Sequence, residues 1–217
     1  MILKEDSTEQ KLRGAYYTPT RLAQYIVNLL RDQYPAGNVL EPSCGDGVFL
    51  DAMKAEGSLK NYKSITAVEI EEDETSKLKE KYADCRNVKV LNSDFFDFYK
   101  DKKRTKYDLI VGNPPYIRYQ YLENNQRELM SEIITEHGMK PNKLINTWVA
   151  FAVACVHMLS KEGAIAFVIP AEILQVAYAE ELRIYLANSL EKITVITFEQ
   201  LVFSDIEQEV VVLIGKK

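Results

Sequence analysis

The sequence predicts a three-layer α/β fold, in which helices cover both faces of a largely parallel β-sheet. Two observations predict it. Apolar segments of strand length alternate with helical patterns along the chain, and strands that are separated by helices pair in parallel. The last two strand-length segments are joined without a helical pattern, so we expect them to form an antiparallel pair at one end of the sheet.

Seven segments have the length and composition of strands. The first is short and ends at Glu41-Pro42, and the fourth is continuous and apolar, as is typical of a fully buried parallel strand. The predicted strands are residues 38–40, 65–70, 88–91, 107–111, 164–169, 193–198 and 209–214.

Helical patterns fill most of the gaps between these strands. In the first, Leu22, Ile26, Leu29 and Leu30 fall on one face, and Pro19 stands where a proline suits the start of a helix. Residues 117–143 are polar and weakly periodic, which predicts a mobile loop with some helix. The predicted helices are residues 20–30, 48–55, 72–82, 146–159 and 171–186.

Composition limits the class of protein. A chain of 217 residues is long enough for one large domain. No apolar run approaches the roughly 20 residues needed to cross a bilayer, and the first ten residues lack the apolar segment of a signal peptide, so we expect a cytoplasmic protein with no membrane partner. Three scattered cysteines and two histidines form no zinc-binding pattern, which predicts no metal site. The net charge of −5 predicts that the chain alone binds nucleic acid weakly.

A glycine-containing turn follows the first strand, and open parallel sheets bind their ligands at the carboxyl ends of strands. Residues 41–47 read Glu-Pro-Ser-Cys-Gly-Asp-Gly. Gly45 and Gly47 allow the backbone to turn tightly and to approach a ligand closely, but the third glycine of the dinucleotide-binding pattern is missing. Glu41 beside this turn would suit a cationic group, such as the ammonium of an amino acid.

Acidic residues also stand at the end of the second strand and after the third. Glu69 could hold two vicinal ribose hydroxyls with its two oxygens. Asp94 could accept a hydrogen bond from an adenine amino group while Phe95 covers the face of the ring. Each feature is also common in ordinary turns and strand ends, so the prediction depends on their combination.

The fourth strand ends in the most informative motif, Asn113-Pro114-Pro115-Tyr116. The prolines fix the backbone and remove two N–H donors. The side-chain oxygen of Asn113 and the carbonyl of Pro114 could then accept both hydrogens of one amino group, while Tyr116 offers a flat face to a planar ring.

This arrangement suits methyl transfer to a conjugated amine. Such an amine is a poor nucleophile, and two acceptors would favour a pyramidal nitrogen and stabilise the positive charge that develops on it. No strong base is needed. By itself the motif allows an adenine, cytosine or glutamine amine as the substrate, and a base in a duplex would have to leave the stack to reach it.

The ordered set of motifs resembles the S-adenosylmethionine (SAM)-dependent amino-methyltransferases of restriction–modification systems. The order in which the cofactor motif precedes the catalytic motif resembles the gamma class of N6-adenine DNA methyltransferases in particular. The resemblance spans residues 14–214 and implies a seven-stranded mixed sheet with an antiparallel last strand, the cofactor SAM, and double-stranded DNA as the substrate.

The resemblance also assigns roles to residues. Residues 14–19 resemble the family's N-terminal cofactor motif, in which Thr18 would contact the methionine end of SAM. Asn113, Pro114, Pro115 and Tyr116 resemble the catalytic motif. The cofactor-binding residues that the resemblance implies are Tyr17, Thr18, Pro19, Glu41, Pro42, Cys44, Gly45, Gly47, Glu69, Ile70, Asp94, Phe95, Asn113, Pro115 and Phe151.

One further aromatic residue is implied in the connection between the last two strands. There the family uses an aromatic side chain to hold the flipped adenine opposite the tyrosine. Phe203 is the better-placed candidate and Phe198 is the competing one. With Tyr116, Phe203 would therefore stack on the target base, and this position favours adenine N6 over the other amines.

Members of this class normally continue into a target-recognition domain. We therefore expect residues 1–217 to be a single catalytic domain, which takes its sequence recognition from a separate domain or subunit and binds DNA weakly without it. Two alternatives remain open. The motif also serves enzymes that methylate a protein glutamine or an RNA base, and the chain could be a non-catalytic SAM-binding subunit of a restriction complex.

Overall fold

The computed structural model describes residues 17–31, 37–140, 145–203 and 208–217. Within these residues, seven strands form one sheet in the order β3-β2-β1-β4-β5-β7-β6. The strands are β1 (Asn38–Glu41), β2 (Ser64–Glu69), β3 (Val88–Asn92), β4 (Tyr107–Gly112), β5 (Leu159–Pro170), β6 (Lys192–Ile196) and β7 (Val210–Lys216). The helices are α1 (Thr20–Arg31), α2 (Val48–Ala55), α3 (Glu72–Lys81), α4 (Phe95–Lys102), α5 (Asn124–Glu136), α6 (Thr147–Met158) and α7 (Glu180–Ser189).

The sheet confirms the predicted fold class. The first five strands pair in parallel, and β7 is antiparallel to both of its neighbours, β5 and β6. The predicted antiparallel pair is therefore present, and β7 lies inside the sheet between β5 and β6 rather than at its edge. The burial of β7 agrees with this internal position, because six of its seven residues are buried, whereas the edge strand β6 is mostly exposed.

Two segments differ from the predicted helices. The predicted helix over residues 171–186 is wrong in its first half, where two short 3-10 turns, Ala171–Leu174 and Ala177–Ala179, precede α7. Val176 has an extended backbone, with φ −73° and ψ 143°, and a helix cannot continue through it. The segment of residues 117–143, predicted as a mobile loop with some helix, contains the regular helix α5. The structure therefore confirms the helical part of this prediction.

Helix α4 follows β3 directly, and no helix was predicted there. Asp94 is its N-cap, and its side chain accepts a hydrogen bond from the backbone N–H of Phe96. Asp is among the preferred N-cap residues because its oxygen satisfies a donor that the helix leaves unpaired. The apolar face of α4 is aromatic, and Phe95, Phe96, Phe98 and Tyr99 are buried.

Helix α6 is the central helix of one face of the sheet. Every one of its residues except His157 is buried, because it packs against β5, α5 and α7. In the part of the chain that the structure describes, no helix has the length and apolar character needed to span a membrane.

The strand order determines where a ligand can bind. From β1 the chain proceeds to β2 and β3 on one side, and β4 and β5 lie on the other. The change of direction falls between β1 and β4, and ligands of open parallel sheets bind outside the carboxyl ends of strands at this point. The turns that follow β1, β2, β3 and β4 all lie at that edge.

Candidate active site

A cavity of about 450 Å³ lies at this edge of the sheet, within the range of about 300–1,000 Å³ that is usual for small-molecule sites. Its walls come from the segment before α1, the turns after the first four strands, and the starts of α5 and α6. The residues that line it are Tyr17, Thr18, Glu41, Pro42, Ser43, Cys44, Gly45, Asp46, Val48, Phe49, Val68, Glu69, Ile70, Glu71, Glu74, Ser93, Asp94, Phe95, Phe96, Asn113, Pro115, Ile117, Leu122, Gln126, Thr147 and Phe151.

The glycine turn forms the floor at the end of β1. Gly45 and Gly47 have φ values of 53° and 82°, a left-handed region that residues with a side chain rarely adopt. A Cβ atom at Gly47 would lie 2.5 Å from Cδ2 of Leu78 in α3. Gly47 is also the N-cap of α2, so this turn both packs closely on α3 and starts the next helix.

Glu41 is the most deeply buried carboxyl of the cavity, with only 1% of its surface exposed. Within the described residues, its Oε2 atom has no hydrogen-bond partner. Burial raises its pKa well above the ordinary value, and the negative charges of Asp46 and Glu69 add to this effect. A cationic ligand group at this position would satisfy the oxygen and stabilise the ionised form, so the site fits the ammonium of an amino acid.

Glu69 is held in place by the backbone around it. Its Oε2 accepts the N–H of Gly45 at 2.7 Å, and its Oε1 accepts the N–H of Glu71 at 2.9 Å. Each carboxylate oxygen has a second lone pair. The carboxylate is thus fixed at the cavity wall with acceptor capacity remaining, as the predicted contact with ribose hydroxyls requires.

Asp94 and two aromatic rings form the other end of the cavity. Asp94 Oδ1 accepts the N–H of Phe96, and Oδ2 accepts Nε2–H of Gln126, both at 2.7 Å. The rings of Phe95 and Phe151 are stacked with their centroids 4.4 Å apart. An apolar, aromatic wall next to a carboxylate suits a flat base that carries an amino group.

The motif at the end of β4 is packed tightly against its surroundings. Ser43 Oγ donates to the carbonyl of Asn113 at 3.2 Å. Thr147 Oγ1, at the start of α6, donates to the carbonyl of Pro115 and accepts the N–H of Ile117 at 3.0 Å. The Asn113–Tyr116 turn is therefore held from both the β1 turn and α6.

Tyr116 is turned inward in this structure. Its side chain is buried, with 8% exposed, and its hydroxyl contacts Oδ1 of Asn113 at 2.6 Å and the carbonyl of Val168 at 3.1 Å. Among the described residues, Asn113 and Pro115 line the cavity while Pro114 and Tyr116 do not. The Asn113 oxygen that is predicted to hold the target amine thus accepts the tyrosine hydroxyl in this structure, and the predicted stacking role of Tyr116 stays a prediction.

Most of the predicted cofactor residues line this one cavity. Pro19 and Gly47 do not, although the carbonyl of Pro19 accepts the N–H groups of Leu22 and Ala23 in α1. Phe203 is buried in the apolar core and does not line the cavity, and its predicted role in stacking stays a prediction. Residues 14–16 of the predicted N-terminal motif lie outside the described residues.

Several cavity residues were not predicted from the sequence. Ile117, Leu122, Gln126 and Thr147 line the cavity from the segment that was expected to be a loop and from the start of α6. The one signal for Gln126 is its spacing from Glu123, because the two form a capping box at the start of α5. Capping boxes usually begin with Ser or Thr, so the pattern is difficult to recognise in the sequence when Glu123 is its first residue.

Comparison with known proteins gives one family model that matches the chain. Residues 22–203 match the model described as Eco57I restriction-modification methylase. This range contains β1 to β6 and all the cavity walls except Tyr17 and Thr18.

Individual relatives agree with the family model. The chain is 34% identical over 205 residues to the type II methyltransferase M.AccI of Acinetobacter calcoaceticus, covering 93% of this chain and 36% of the relative. It is 32% identical over 210 residues to the type II methyltransferase M.HincII of Haemophilus influenzae, covering 95% of this chain and 38% of the relative. The chain thus spans little more than a third of the length of these curated relatives.

A solved structure supports the fold. The DrdV–DNA complex, determined by electron cryomicroscopy, matches 96% of this chain and 27% of its own chain with a TM-score of 0.75. The sequence identity is 14%, so the likeness concerns the arrangement of strands and helices alone.

Proposed function

The chain belongs to the family of Eco57I restriction-modification methylases, and from this premise we propose that it transfers a methyl group from SAM to the N6 amino group of a flipped-out adenine in DNA. One observation carries the proposal. Asn113 and Pro115 of the Asn-Pro-Pro-Tyr turn line the same cavity as three acidic residues. These are Glu41 and Glu69, the last residues of β1 and β2, and Asp94, which follows β3.

The acidic residues match the chemistry of the proposed cofactor. SAM supplies a methyl group on a positively charged sulfonium, and it carries an ammonium, a ribose and an adenine. Glu41 would pair with the ammonium, Glu69 would accept the ribose hydroxyls, and Asp94 would accept the adenine amino group. Phe95 and Phe151 would exclude water from the adenine faces.

The catalytic turn would act on the target amine as an acceptor pair. Asn113 Oδ1 and the carbonyl of Pro114 accept the two amino hydrogens, which directs the nitrogen lone pair towards the methyl donor and stabilises the developing positive charge. When the base enters, the hydroxyl of Tyr116 would release Asn113 Oδ1, and the ring of Tyr116 would stack on the base. Phe203 is the proposed second stacking residue. After transfer, the cationic methylated nitrogen loses one proton to water, so no strong base is needed in the site.

Sequence selection would depend on a recognition domain or subunit in addition to these 217 residues. The net charge of −5 is unfavourable for gripping a phosphate backbone, and the matched relatives are more than twice as long as the matched segment. In this proposal residues 1–217 act as one catalytic domain.

An Asn113→Ala variant separates cofactor binding from catalysis. We expect calorimetry to show SAM binding by both the wild type and the variant. Methyl transfer to single-stranded oligonucleotides, which avoids the cost of base flipping, should fall on the order of a hundredfold in the variant. A Lys63→Ala variant, which changes an exposed residue at the opposite edge of the sheet, serves as the control. Retained transfer by Asn113→Ala would show that the turn is not the catalytic element.

A further inference from the structure

Gln126 connects helix α5 to the adenine end of the cavity. It is the third residue of α5, and its side chain forms part of the cavity wall. Its Nε2 donates to Asp94 Oδ2 at 2.7 Å, while its Oε1 accepts the backbone N–H of Glu123 at 3.3 Å. One side-chain amide therefore joins the start of α5 to the carboxylate that caps α4.

The two oxygens of Asp94 are fixed by different elements. The N–H of Phe96 in α4 holds Oδ1, and Gln126 of α5 holds Oδ2. The first contact is local to the start of α4 and restrains one oxygen of the carboxylate. The second contact, from α5, restrains Oδ2 directly and leaves that oxygen one lone pair for a ligand.

We propose that Gln126 is a positioning residue that orients Asp94 so that Oδ2 accepts the amino group of the cofactor's adenine. This inference rests on the proposed SAM site. With one lone pair of Oδ2 taken by Gln126, the other is an acceptor with a defined direction. An adenine offers a donor there, whereas a hypoxanthine offers a carbonyl oxygen, which an oriented carboxylate oxygen repels. Gln126 thus contributes to the selection of an adenine-containing cofactor.

The test compares S-adenosylhomocysteine with its deaminated analogue, S-inosylhomocysteine, by calorimetry. We expect the wild type to prefer the adenine compound by at least about tenfold, since a buried unmatched polar pair is strongly disfavoured. A Gln126→Ala variant should bind S-adenosylhomocysteine about three- to tenfold more weakly. Its affinity for S-inosylhomocysteine should change little, so the preference should largely disappear.

A Glu123→Ala variant is the matched control for helix α5. It disrupts the same capping box without removing the contact between Gln126 and Asp94. If the effect arises only from a weakened helix start, both variants will reduce the preference equally. We expect Glu123→Ala to retain the preference of the wild type.

A Gln126→Glu variant tests the positioning role through the pH dependence of ligand affinity, which a purely structural role of Gln126 would not change. A glutamate here faces the carboxylate of Asp94 within hydrogen-bond distance, and two such groups bind one shared proton at acidic pH. Its affinity for S-adenosylhomocysteine, taken relative to the wild type at the same pH, should be low at pH 8 and recover as the pH falls towards 5.5. The ratio to the wild type cancels the titration of Glu41 and Asp46, which all variants share.

The outcomes separate the two proposals. If the wild type fails to bind S-adenosylhomocysteine, the proposed function fails. If the wild type binds it and discriminates, but Gln126→Ala discriminates equally well, the SAM site stands and the role of Gln126 is wrong. Should Gln126→Ala not fold, the pH dependence of Gln126→Glu decides the question, because its absence also contradicts the positioning role.

Discussion

Glu41 is the residue whose ionisation most directly links the stability of the fold to the proposed function. Burial raises its pKa well above the ordinary value, with the charges of Asp46 and Glu69 adding to this. Between the ordinary and the raised pKa, the native state holds a proton that the unfolded state has lost. Its contribution to stability therefore decreases as the pH rises through that window.

A Glu41→Gln variant removes this titration. We expect its melting temperature to exceed that of the wild type by a margin that grows between pH 5 and pH 8, because only the wild type must take up a proton at this position in order to fold. Thermal unfolding at several pH values measures the difference. A margin that stays constant over this range would contradict the raised pKa.

The same substitution should weaken SAM binding. Loss of a charge-assisted hydrogen bond to the ammonium costs about 1.5–3 kcal/mol, which corresponds to a roughly ten- to hundredfold higher dissociation constant. In the wild type, the affinity should increase as the pH rises through the pKa of Glu41, because the proton must leave before the ammonium can pair. Calorimetry over the same pH range tests both expectations.

Tyr116 can be separated into its hydroxyl and its ring. The hydroxyl contacts Asn113 Oδ1 in this structure, where it competes with the target amine for this oxygen. Tyr116→Phe removes that competition and should leave the rate of methyl transfer within about threefold of the wild type. Tyr116→Ala removes the stacking face, which is worth about 1–3 kcal/mol per base. Its dissociation constant for a single-stranded oligonucleotide should rise roughly five- to hundredfold. If Tyr116→Phe and Tyr116→Ala lose oligonucleotide affinity and methyl transfer to the same extent, the hydroxyl rather than the ring is the functional part of Tyr116.

At the scale of elements, the close approach of the glycine turn to α3 can be measured with a matched pair of substitutions. Gly47 and Gly57 both have positive φ, at 82° and 71°. A Cβ at Gly47 meets Leu78 at 2.5 Å, whereas a Cβ at Gly57 meets nothing within 4 Å. Gly57→Ala should cost about 1–2 kcal/mol from backbone strain alone, and Gly47→Ala should cost about 1–3 kcal/mol more.

Chemical denaturation measures both free energies of unfolding. The double variant Gly47→Ala/Leu78→Ala provides the check, because the smaller side chain removes the clash and should bring the combined loss below the sum of the two single losses. Additive losses would show that the turn and α3 do not contact each other as described.

The strands were predictable because their signal is local. Each of the seven apolar runs is long enough to identify by itself, and the structure confirms all of them. Their ends shift by at most two residues, except that β5 begins five residues earlier than predicted. The position of β7 between β5 and β6 was not predictable, since the pairing of distant strands depends on tertiary contacts. The helix predicted over residues 171–186 failed because apolar spacing does not reveal the extended backbone at Val176.

The site residues likewise divide into those that a local sequence pattern predicts and those that depend on tertiary contacts. Glu41, Glu69, Asp94 and Asn113 were predictable because each lies at or just after the carboxyl end of a strand, at the edge where ligands bind. Gln126 and Thr147 were missed because they reach the cavity from helices that are distant in sequence. The inward position of Tyr116 depends on a contact with Val168 of β5, which no local pattern records.

At the scale of the whole molecule, charge governs how the domain meets DNA. With a net charge of −5, few phosphate contacts are expected, and the salt dependence of binding scales with their number. We expect the chain to bind duplex DNA weakly, with a shallow slope of log affinity against log salt. Fluorescence anisotropy at several salt concentrations measures that slope. A steep slope with tight, sequence-specific binding would contradict the proposed dependence on a recognition domain.

The central claim concerns the atom that is methylated. Incubation of the chain with isotopically labelled SAM and single-stranded DNA, followed by digestion to nucleosides and mass spectrometry, identifies that atom directly. We predict labelled N6-methyldeoxyadenosine with the wild type and a large decrease with Asn113→Ala. Label that appears instead in N4-methyldeoxycytidine, or no transfer to DNA by a chain that binds SAM, would contradict the claim.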